Sequence, residues 1–303
     1  MGVNIISYIK AIFLAIKAIF NFIFRVYSGK EVWFFQEDSR KNYKAKGIPK
    51  KIWMYWDSEE PNLLVDYCIN NTINICSDYE VIVLNSYTVK DYINIPDIDF
   101  SGIKKAVVAD YIRLALLKKY GGVWMDASIF ITQNFDWFLN RIDNNTNFLF
   151  YSDPCTYDID NPIFENWFIA APEGSELITD WFNEFEKCFL SSDPTKYYSK
   201  YANSKILQGI PNTDYLMCYI SIAKVTANKK YNIASLNSAS SGHYYNYKLF
   251  SNSFLIAIVL MLRNLNKVFV PKLIKFTKDT RYYPNLFVSR KIIAKSSIFS
   301  KGN

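Results

Sequence analysis

One stretch, residues 106–132, constrains the fold of this chain more than any other. Residues 103–120 are apolar on nearly every side at helical spacing, which predicts a buried helix. Gly121 and Gly122 follow, and glycine supplies the left-handed cap at which such a helix ends. Residues 123–131 form an apolar run interrupted only at residues 126–128, as expected of a strand covered on both faces. A buried helix that leads into a buried strand predicts an α/β domain.

Four polar side chains interrupt this apolar stretch. Asp110 and Arg113 are three residues apart and lie on one side of the predicted helix. Asp126 and Ser128 are two residues apart and share one face of the predicted strand. A charged side chain inside a core must have a partner or a function, because burying an unpaired charge lowers the stability of the fold by several kcal/mol. Asp110 and Arg113 can be explained either by pairing with each other or by a function. The Asp126 and Ser128 pair has no structural explanation and therefore indicates a functional site.

The order of these features resembles a known sugar-nucleotide site. Ala-Asp-x-x-Arg at 109–113, Gly-Gly at 121–122 and Asp-Ala-Ser at 126–128 are similar to the pattern of glycosyltransferase family 32. They are more similar still to the related capsular polysaccharide synthesis proteins. The resemblance covers residues 48–131 well and becomes thin beyond them. It implies an α/β fold of the GT-A-like, Rossmann type, with a mostly parallel sheet and flanking helices.

The resemblance also implies a reaction. A glycosyltransferase moves a sugar from a nucleotide-sugar donor, a UDP- or GDP-sugar, to a lipid-linked or polysaccharide acceptor, with retention at the anomeric carbon. The leaving diphosphate gains negative charge, which a bridging divalent metal, Mn²⁺ or Mg²⁺, stabilises. An Asp-x-Asp motif at a strand end supplies the carboxylate oxygens that such hard cations prefer.

Within this resemblance each polar residue of the central stretch has a role. Asp126 would touch the ribose or the sugar and bridge to the metal, and Ser128 would be a metal ligand in place of the second acid. Asp110 and Arg113 would hold hydroxyls of the donor sugar, and Arg113 would offset charge near the diphosphate. A serine hydroxyl brings no charge, so we expect weaker metal binding than at an Asp-x-Asp site.

The first predicted strands add donor contacts. Trp56 matches the aromatic residue that stacks on the nucleobase in the resembling families, and Trp53 is the alternate. Asn85 directly follows the second predicted strand. Open parallel sheets bind ligands at the carboxyl ends of their strands, so we expect Trp56, Asn85 and Asp126 on one rim.

A late loop, residues 238–249, resembles the segment that returns over the diphosphate in the related families. His243 would approach the metal there, and Lys248 would approach the phosphates. An exposed loop histidine is the alternative for His243. Glu165 and Asn166 are weaker candidates for the acceptor side of the cleft.

Composition excludes several other classes of enzyme. The chain has one histidine, so a multi-histidine metal site is excluded. It has no Gly-x-Ser-x-Gly sequence, the signature of the α/β-hydrolase nucleophile. Its five cysteines lack metal-ligand spacing, and an odd, scattered set favours reduced thiols in a cytosol.

Residues 1–27 are predicted to form an amphipathic helix. At about 100° per residue, the polar side chains, Lys10 and Lys17 among them, fall on one side, and isoleucine, phenylalanine and leucine fill the other. Lysines inside the stretch argue against a spanning helix and against a signal peptide. An in-plane helix on an anionic membrane surface is favoured. Packing on the protein's own core and a spanning anchor remain alternatives.

The rest of the chain is predicted to form a linker (28–47), a glycosyltransferase domain (48–250) and a segment that docks on the membrane or the core (251–303). The net charge is +7, and from residue 264 onward nine basic residues accompany one acidic residue. Because no nucleic-acid motif accompanies this charge, it favours a membrane surface as the partner and not nucleic acid. We therefore expect a cytoplasmic protein, peripheral on the inner face of the cell membrane.

Three functions compete at this point. The first is a membrane-associated transferase of capsular polysaccharide synthesis, and the second is a sugar transferase that modifies a protein. The third is a non-catalytic nucleotide-sugar-binding or scaffold protein, which Ser128 keeps open. A purely structural protein leaves Asp110, Arg113 and Asp126 unexplained, and the first function is our prediction.

Overall fold

The computed structural model describes residues 5–24, 29–38, 46–58, 60–96, 104–211 and 214–302. Its helices are α1 (Ile5–Phe24), α2 (Leu63–Ile75), α3 (Lys105–Tyr120), α4 (Asp136–Leu139), α5 (Glu176–Phe189), α6 (Met217–Asn228), α7 (Tyr244–Lys248), α8 (Ser253–Met261) and α9 (Tyr282–Ser289). Its strands are β1 (Trp33–Gln36), β2 (Lys51–Tyr55), β3 (Glu80–Leu84), β4 (Gly122–Met125), β5 (Ile129–Ile131), β6 (Asn147–Tyr151), β7 (Phe164–Ala171), β8 (Ile233–Asn237) and β9 (Leu273–Lys275).

Within these ranges, seven strands form the main sheet in the order β1-β8-β6-β7-β4-β2-β3. The strands β2, β3, β4, β6 and β8 run in one direction, and β1 and β7 run in the other. The predicted α/β fold with a mostly parallel sheet is therefore confirmed. We call the edge at which the five parallel strands end the carboxyl edge.

Helices cover both faces of the sheet, as the apolar run in β4 predicts. Trp53 and Trp124 face the side of α3, α5 and α6, where they join the larger core cluster. Met54 and Met125 face the other side, where residues of α2 and α4 cover them. Because side chains alternate along a strand, each strand contributes to both cores.

The C-terminal segment packs against earlier elements of the chain. Ile256 and Leu260 of α8 are buried together with Leu64 of α2 and Phe130 of β5. The strand β9 pairs antiparallel with β5 in a small second sheet. The apolar run at 254–262 therefore docks on the core, the second of the two alternatives left open for it.

The predicted linker at 28–47 also contains structure. Residues 33–36 form β1, which pairs antiparallel with β8 at one end of the main sheet. This edge strand has only four residues, and the charged residues around it hide it in the sequence pattern.

The first helix, α1, presents its apolar side to solvent. Ile12, Ile16, Phe20 and Ile23 are all exposed, each by about three fifths of its surface. Ala18 on the opposite side is fully buried, and Lys17 lies over the ring of Phe250. Among the described residues, every helix is too short or too polar to cross a membrane.

Candidate active site

The carboxyl edge brings together the three predicted rim residues. Trp56 directly follows β2, Asn85 follows β3, and Asp126 follows β4. The Trp56 amide donates to the carbonyl of Leu84 at 2.9 Å, and the Asp126 amide donates to the carbonyl of Trp167 at 3.0 Å. The expected common rim is therefore present.

A buried ion pair on α3 reaches this edge. Arg113 Nη1 lies 3.0 Å from Asp110 Oδ1, as simple pairing requires. The same guanidinium uses Nη2 to contact Asp126 Oδ1 at 3.2 Å. Arg113 is therefore shared between helix and strand, and the fold joins the three polar residues that the sequence pattern singles out.

Lys275 is a fourth member that the sequence analysis missed. Its Nζ lies 3.1 Å from Asp126 Oδ2, and its side chain is largely buried. The pairing of β9 with β5 sets Lys275 opposite Ile129 and so brings it beside the turn that holds Asp126. We call Asp110, Arg113, Asp126 and Lys275 the cleft cluster.

Neighbouring polar groups fix the orientation of this cluster. Asn166 Nδ2 donates to Asp110 Oδ1 at 2.9 Å, and the Asn166 carbonyl accepts from Arg113 Nη1 at 2.9 Å. Trp124 Nε1 donates to Asp126 Oδ1 at 3.1 Å, and the Arg113 guanidinium lies 5.0 Å from the centre of the Trp124 ring. Asn166, a weaker sequence candidate, is thus a positioning residue for Asp110 and Arg113.

The two aspartates of the cluster differ in their electrostatics. Burial alone would raise the pKa of Asp126, but Lys275 and Arg113 outweigh it and hold this pKa below its usual value. For Asp110, burial prevails over the attraction of Arg113 and raises the pKa to about 6. Asp126 is therefore the carboxylate that stays ionised most firmly at neutral pH.

Glu165 and His243 form a buried pair beside Lys275. His243 Nε2 lies 3.7 Å from Glu165 Oε2, and Asn246 Nδ2 lies 2.8 Å from His243 Nδ1. Burial, aided by the charge of Lys275, lowers the pKa of His243 to about 3, so the imidazole is neutral. Burial raises the pKa of Glu165 to about 7. The alternative of an exposed loop histidine is wrong.

The three predicted metal ligands do not form a set that fits a divalent cation. Both oxygens of Asp126 accept from nitrogen donors of the protein, two of which are cationic. The Ser128 hydroxyl donates to the carbonyl of Phe276 at 2.9 Å, and both ring nitrogens of His243 face protein groups. Among the described residues, no cluster of three or more His, Cys, Asp or Glu could hold a metal. A hard cation needs several oxygen ligands, and here it would sit beside Lys275 and Arg113.

A family model described as capsular polysaccharide synthesis protein matches residues 13–201, which is more than half of the chain. The chain belongs to this family. Membership confirms the predicted resemblance to the capsular polysaccharide synthesis proteins. Asp110, Arg113 and Asp126 lie inside the matched range, whereas Lys275 lies beyond it.

Two solved structures show weak similarity to this capsular polysaccharide synthesis protein. The PaToxG glycosyltransferase has 14% identity, with 73% of this chain and 83% of that chain covered and a TM-score of 0.37. An active-site mutant of LgtC has 9% identity, with 79% and 94% covered and a TM-score of 0.40. No curated protein sequence matches the chain. The site therefore rests on the family match and on its own geometry.

The two predicted base-stacking residues of this family member have different surroundings. Trp53 is fully buried, and its Nε1 donates to the carbonyl of Gly121 at 2.9 Å, so it is a core residue and cannot stack on a base. Trp56 is half-buried at the carboxyl edge. The guanidinium of Arg281 lies 5.0 Å from the centre of the Trp56 ring. Arg281 has no sequence signal of its own, because it comes from the C-terminal segment.

Asn85 and Lys248 have local contacts. Asn85 Oδ1 accepts from the amides of Tyr87 and Thr88 at 2.9 and 3.0 Å and so caps the turn after β3. Lys248 Nζ donates to the hydroxyl of Tyr244 at 3.3 Å. The predicted roles of Asn85 as a donor contact on the rim and of Lys248 at the phosphates remain predictions.

Proposed function

We propose that this protein is a glycosyltransferase that moves a sugar from a UDP- or GDP-sugar to a lipid-linked or polysaccharide acceptor in the synthesis of a capsular polysaccharide. The observation that carries the proposal is the cleft cluster. It sets an ionised Asp126 between two cations at the carboxyl edge of a capsular polysaccharide synthesis protein. Retention of the anomeric configuration, which the sequence resemblance implies, is part of the proposal.

The proposed donor lies along the carboxyl edge. Trp56 and Arg281 offer an aromatic ring and a guanidinium to the nucleobase and its ribose. Asp110, Arg113 and Asp126 offer acceptors and donors to the ribose and to the sugar hydroxyls. Charge-assisted hydrogen bonds of this kind are stronger than neutral ones, and burial strengthens them further.

A donor screen tests this proposal. The purified full chain is incubated with a panel of UDP- and GDP-sugars and a bacterial lipid extract, with Mn²⁺, with Mg²⁺ and with EDTA. We expect release of nucleoside diphosphate from one donor and a labelled sugar in the lipid fraction. Binding of a donor without turnover in any arm would favour the non-catalytic alternative. A chain that binds no donor would contradict the proposal.

We further propose that α1 attaches the enzyme to the inner face of an anionic membrane. The exposed apolar side of α1 carries Ile12, Ile16, Phe20 and Ile23, which lie within an arc of roughly 100° at helical spacing. An apolar helix face of this size is typical of a helix that lies in the membrane interface. Such attachment would keep the active site near a lipid-linked acceptor.

Vesicle flotation tests this attachment. We expect the full chain to float with anionic vesicles and the chain without residues 1–27 to stay in the soluble fraction. Lys10→Glu with Lys17→Glu should weaken binding in a salt-sensitive way, because each lysine near an anionic surface contributes about 1 kcal/mol. The matched control reverses two exposed lysines elsewhere, Lys90→Glu with Lys205→Glu. Equal loss in both pairs would contradict a specific role for α1.

A further inference from the structure

Lys275 contacts Asp126, the residue to which the sequence resemblance assigns a bridge to the metal. In this chain the second position of the Asp-x-Asp pattern is Ser128, and its hydroxyl is bound to the carbonyl of Phe276. The Phe276 amide in turn donates to the Ser128 carbonyl at 3.0 Å. This pair of hydrogen bonds continues the β5–β9 ladder and fixes Lys275, the neighbour of Phe276, next to Asp126.

The Lys275 backbone is held by hydrogen bonds at both of its polar groups. Its amide donates to the carbonyl of Gly242 at 2.9 Å, and its carbonyl accepts from Asn246 Nδ2 at 3.2 Å. Its Nζ lies 5.1 Å from the centre of the Trp167 ring. An ammonium group has three hydrogens, and in the described parts of the chain Asp126 is its one hydrogen-bond acceptor. The group therefore keeps donor capacity for a ligand at the carboxyl edge.

The charges at the site oppose a divalent cation and suit a diphosphate. Arg113 and Lys275 occupy the two oxygens of Asp126, and Asp110 is engaged by Arg113 and Asn166. A metal ion would meet these two cations without a second free carboxylate. A diphosphate would meet two cations whose carboxylate partner holds them in place.

We propose that Lys275 stabilises the charge of the leaving diphosphate in place of a divalent metal, so that sugar transfer proceeds without a metal ion. The inference rests on the proposed function and specifies how the leaving group is stabilised. The bond between the anomeric carbon and the diphosphate oxygen breaks, and its electron pair stays on that oxygen. A new bond forms from the anomeric carbon to the acceptor hydroxyl oxygen, and the hydroxyl proton passes to the released diphosphate or to solvent. Lys275 donates a hydrogen bond to the oxygen that gains the charge, while Asp126, itself bound by Arg113, holds the ammonium in position.

The first test uses the unmodified full chain. After treatment with EDTA, its metal content is measured by mass spectrometry, and turnover of the donor found in the screen is compared with and without added Mn²⁺ or Mg²⁺. We expect turnover in EDTA within about threefold of turnover with metal, since the protein already supplies the charge that a metal would bring. Turnover that vanishes in EDTA and returns with Mn²⁺ would overturn the inference and leave the proposed function intact. If the chain binds no nucleotide, both the proposed function and this inference are wrong.

The second test changes the lysine. Lys275→Met should lower turnover in EDTA by about a hundredfold, as loss of a single charge-stabilising group does in other enzymes. It should weaken binding of the nucleoside diphosphate by about tenfold and binding of the nucleoside by less than twofold, because only the diphosphate loses a contact. Lys275→Arg should keep turnover within about tenfold, because it keeps the charge.

Lys272→Met is the matched control. Lys272 lies three residues away, where it pairs with Glu31 at 3.5 Å and not with the cleft cluster. We expect this variant to bind and turn over the donor like the unmodified chain. The assignment to Lys275 is wrong if Lys275→Met and Lys272→Met weaken binding of the nucleoside diphosphate equally. It is also wrong if Lys275→Met weakens binding of the nucleoside as much as binding of the nucleoside diphosphate. If Lys275→Met does not fold, turnover of Lys275→Arg and of the unmodified chain in EDTA decides the matter.

Discussion

Two clusters of charged residues that join separate elements differ in their exposure to solvent. The cleft cluster links α3, β4 and β9, and the Arg113 side chain keeps 6% of its surface exposed. A second group, which we call the helix cluster, links Glu176 and Asp180 of α5 to Lys229 after α6. In it Lys229 Nζ lies 2.5 Å and 2.7 Å from the two carboxylates, and its side chain is 28% exposed.

This difference separates a site from a surface contact. An exposed salt bridge contributes little, since solvent screens it and two long side chains lose freedom. Buried charges cost more than they return unless geometry and further hydrogen bonds offset the loss of water. Arg113 Nε is buried and has no hydrogen-bond partner among the described residues. A buried donor without a partner is unfavourable and would be unusual if the cluster served only to stabilise the fold. Strongly shifted buried groups in a cleft are typical of functional sites, which favours function for the cleft cluster.

The largest expected effect is on stability, at the centre of the cleft cluster. Arg113→Met removes the cation shared by Asp110 and Asp126 and leaves both buried carboxylates undercompensated. We expect the free energy of unfolding to fall by about 3–5 kcal/mol, as when one partner of a buried pair is removed. Lys229→Met in the helix cluster should change it by less than about 1 kcal/mol. Urea unfolding measures both changes in the free energy of unfolding. Equal losses in the two variants would contradict the difference between the two clusters.

The next effect is on turnover. Asp126→Ala should lower it by about a hundredfold or more, because a group that orients the cations and the donor is lost. The protein should stay folded, as circular dichroism can show. Asp180→Ala, the matched change in the helix cluster, should leave turnover unchanged. Near-normal turnover in Asp126→Ala would end the assignment of the site.

These residues also mark what the sequence alone could predict. Asp110, Arg113 and Asp126 lie within one short stretch, so the alternation of strand and helix suffices to place them together. Lys275 and Arg281 reach the site through the pairing of β9 with β5 and through C-terminal packing. Contacts between segments so far apart leave no periodic signal in either segment, so the basic C-terminal residues by themselves indicate only a membrane surface.

The tryptophans show a finer limit of sequence analysis. Trp53 and Trp56 lie three residues apart on the same strand and its extension, so alternation places them on different sides. Which one reaches the cleft depends on where the strand ends, and strand ends are the least certain part of a sequence-based assignment. Ser128 shows a similar limit. The sequence pattern predicts its place in the motif but does not predict that its hydroxyl donates to the carbonyl of Phe276.

A pH series sharpens the comparison at the border of the cleft cluster. Burial raises the pKa of Glu165 from 4.5 to about 7 in the folded chain. Between these values the folded protein holds a proton that the unfolded chain has released, so stability falls as the pH rises. Glu165→Gln removes this titration, and from about pH 5 to about pH 7 it should lose less stability than the unmodified chain, by on the order of 2 kcal/mol. Melting temperatures across the series measure it, and parallel curves would show that Glu165 does not titrate there.

The smallest expected effect distinguishes the two polar positions of the Asp-Ala-Ser sequence. Ser128→Ala removes the hydrogen bond to the Phe276 carbonyl and should lower the free energy of unfolding by about 1 kcal/mol. Turnover should change by less than about threefold, because in the metal-free reaction the hydroxyl contacts neither the donor nor an ion. Donor titrations at several Mn²⁺ concentrations check this result. If Ser128→Ala instead raised the Mn²⁺ concentration needed for turnover, Ser128 would be a metal ligand after all, and the cleft cluster would act through an ion and not through Lys275 alone.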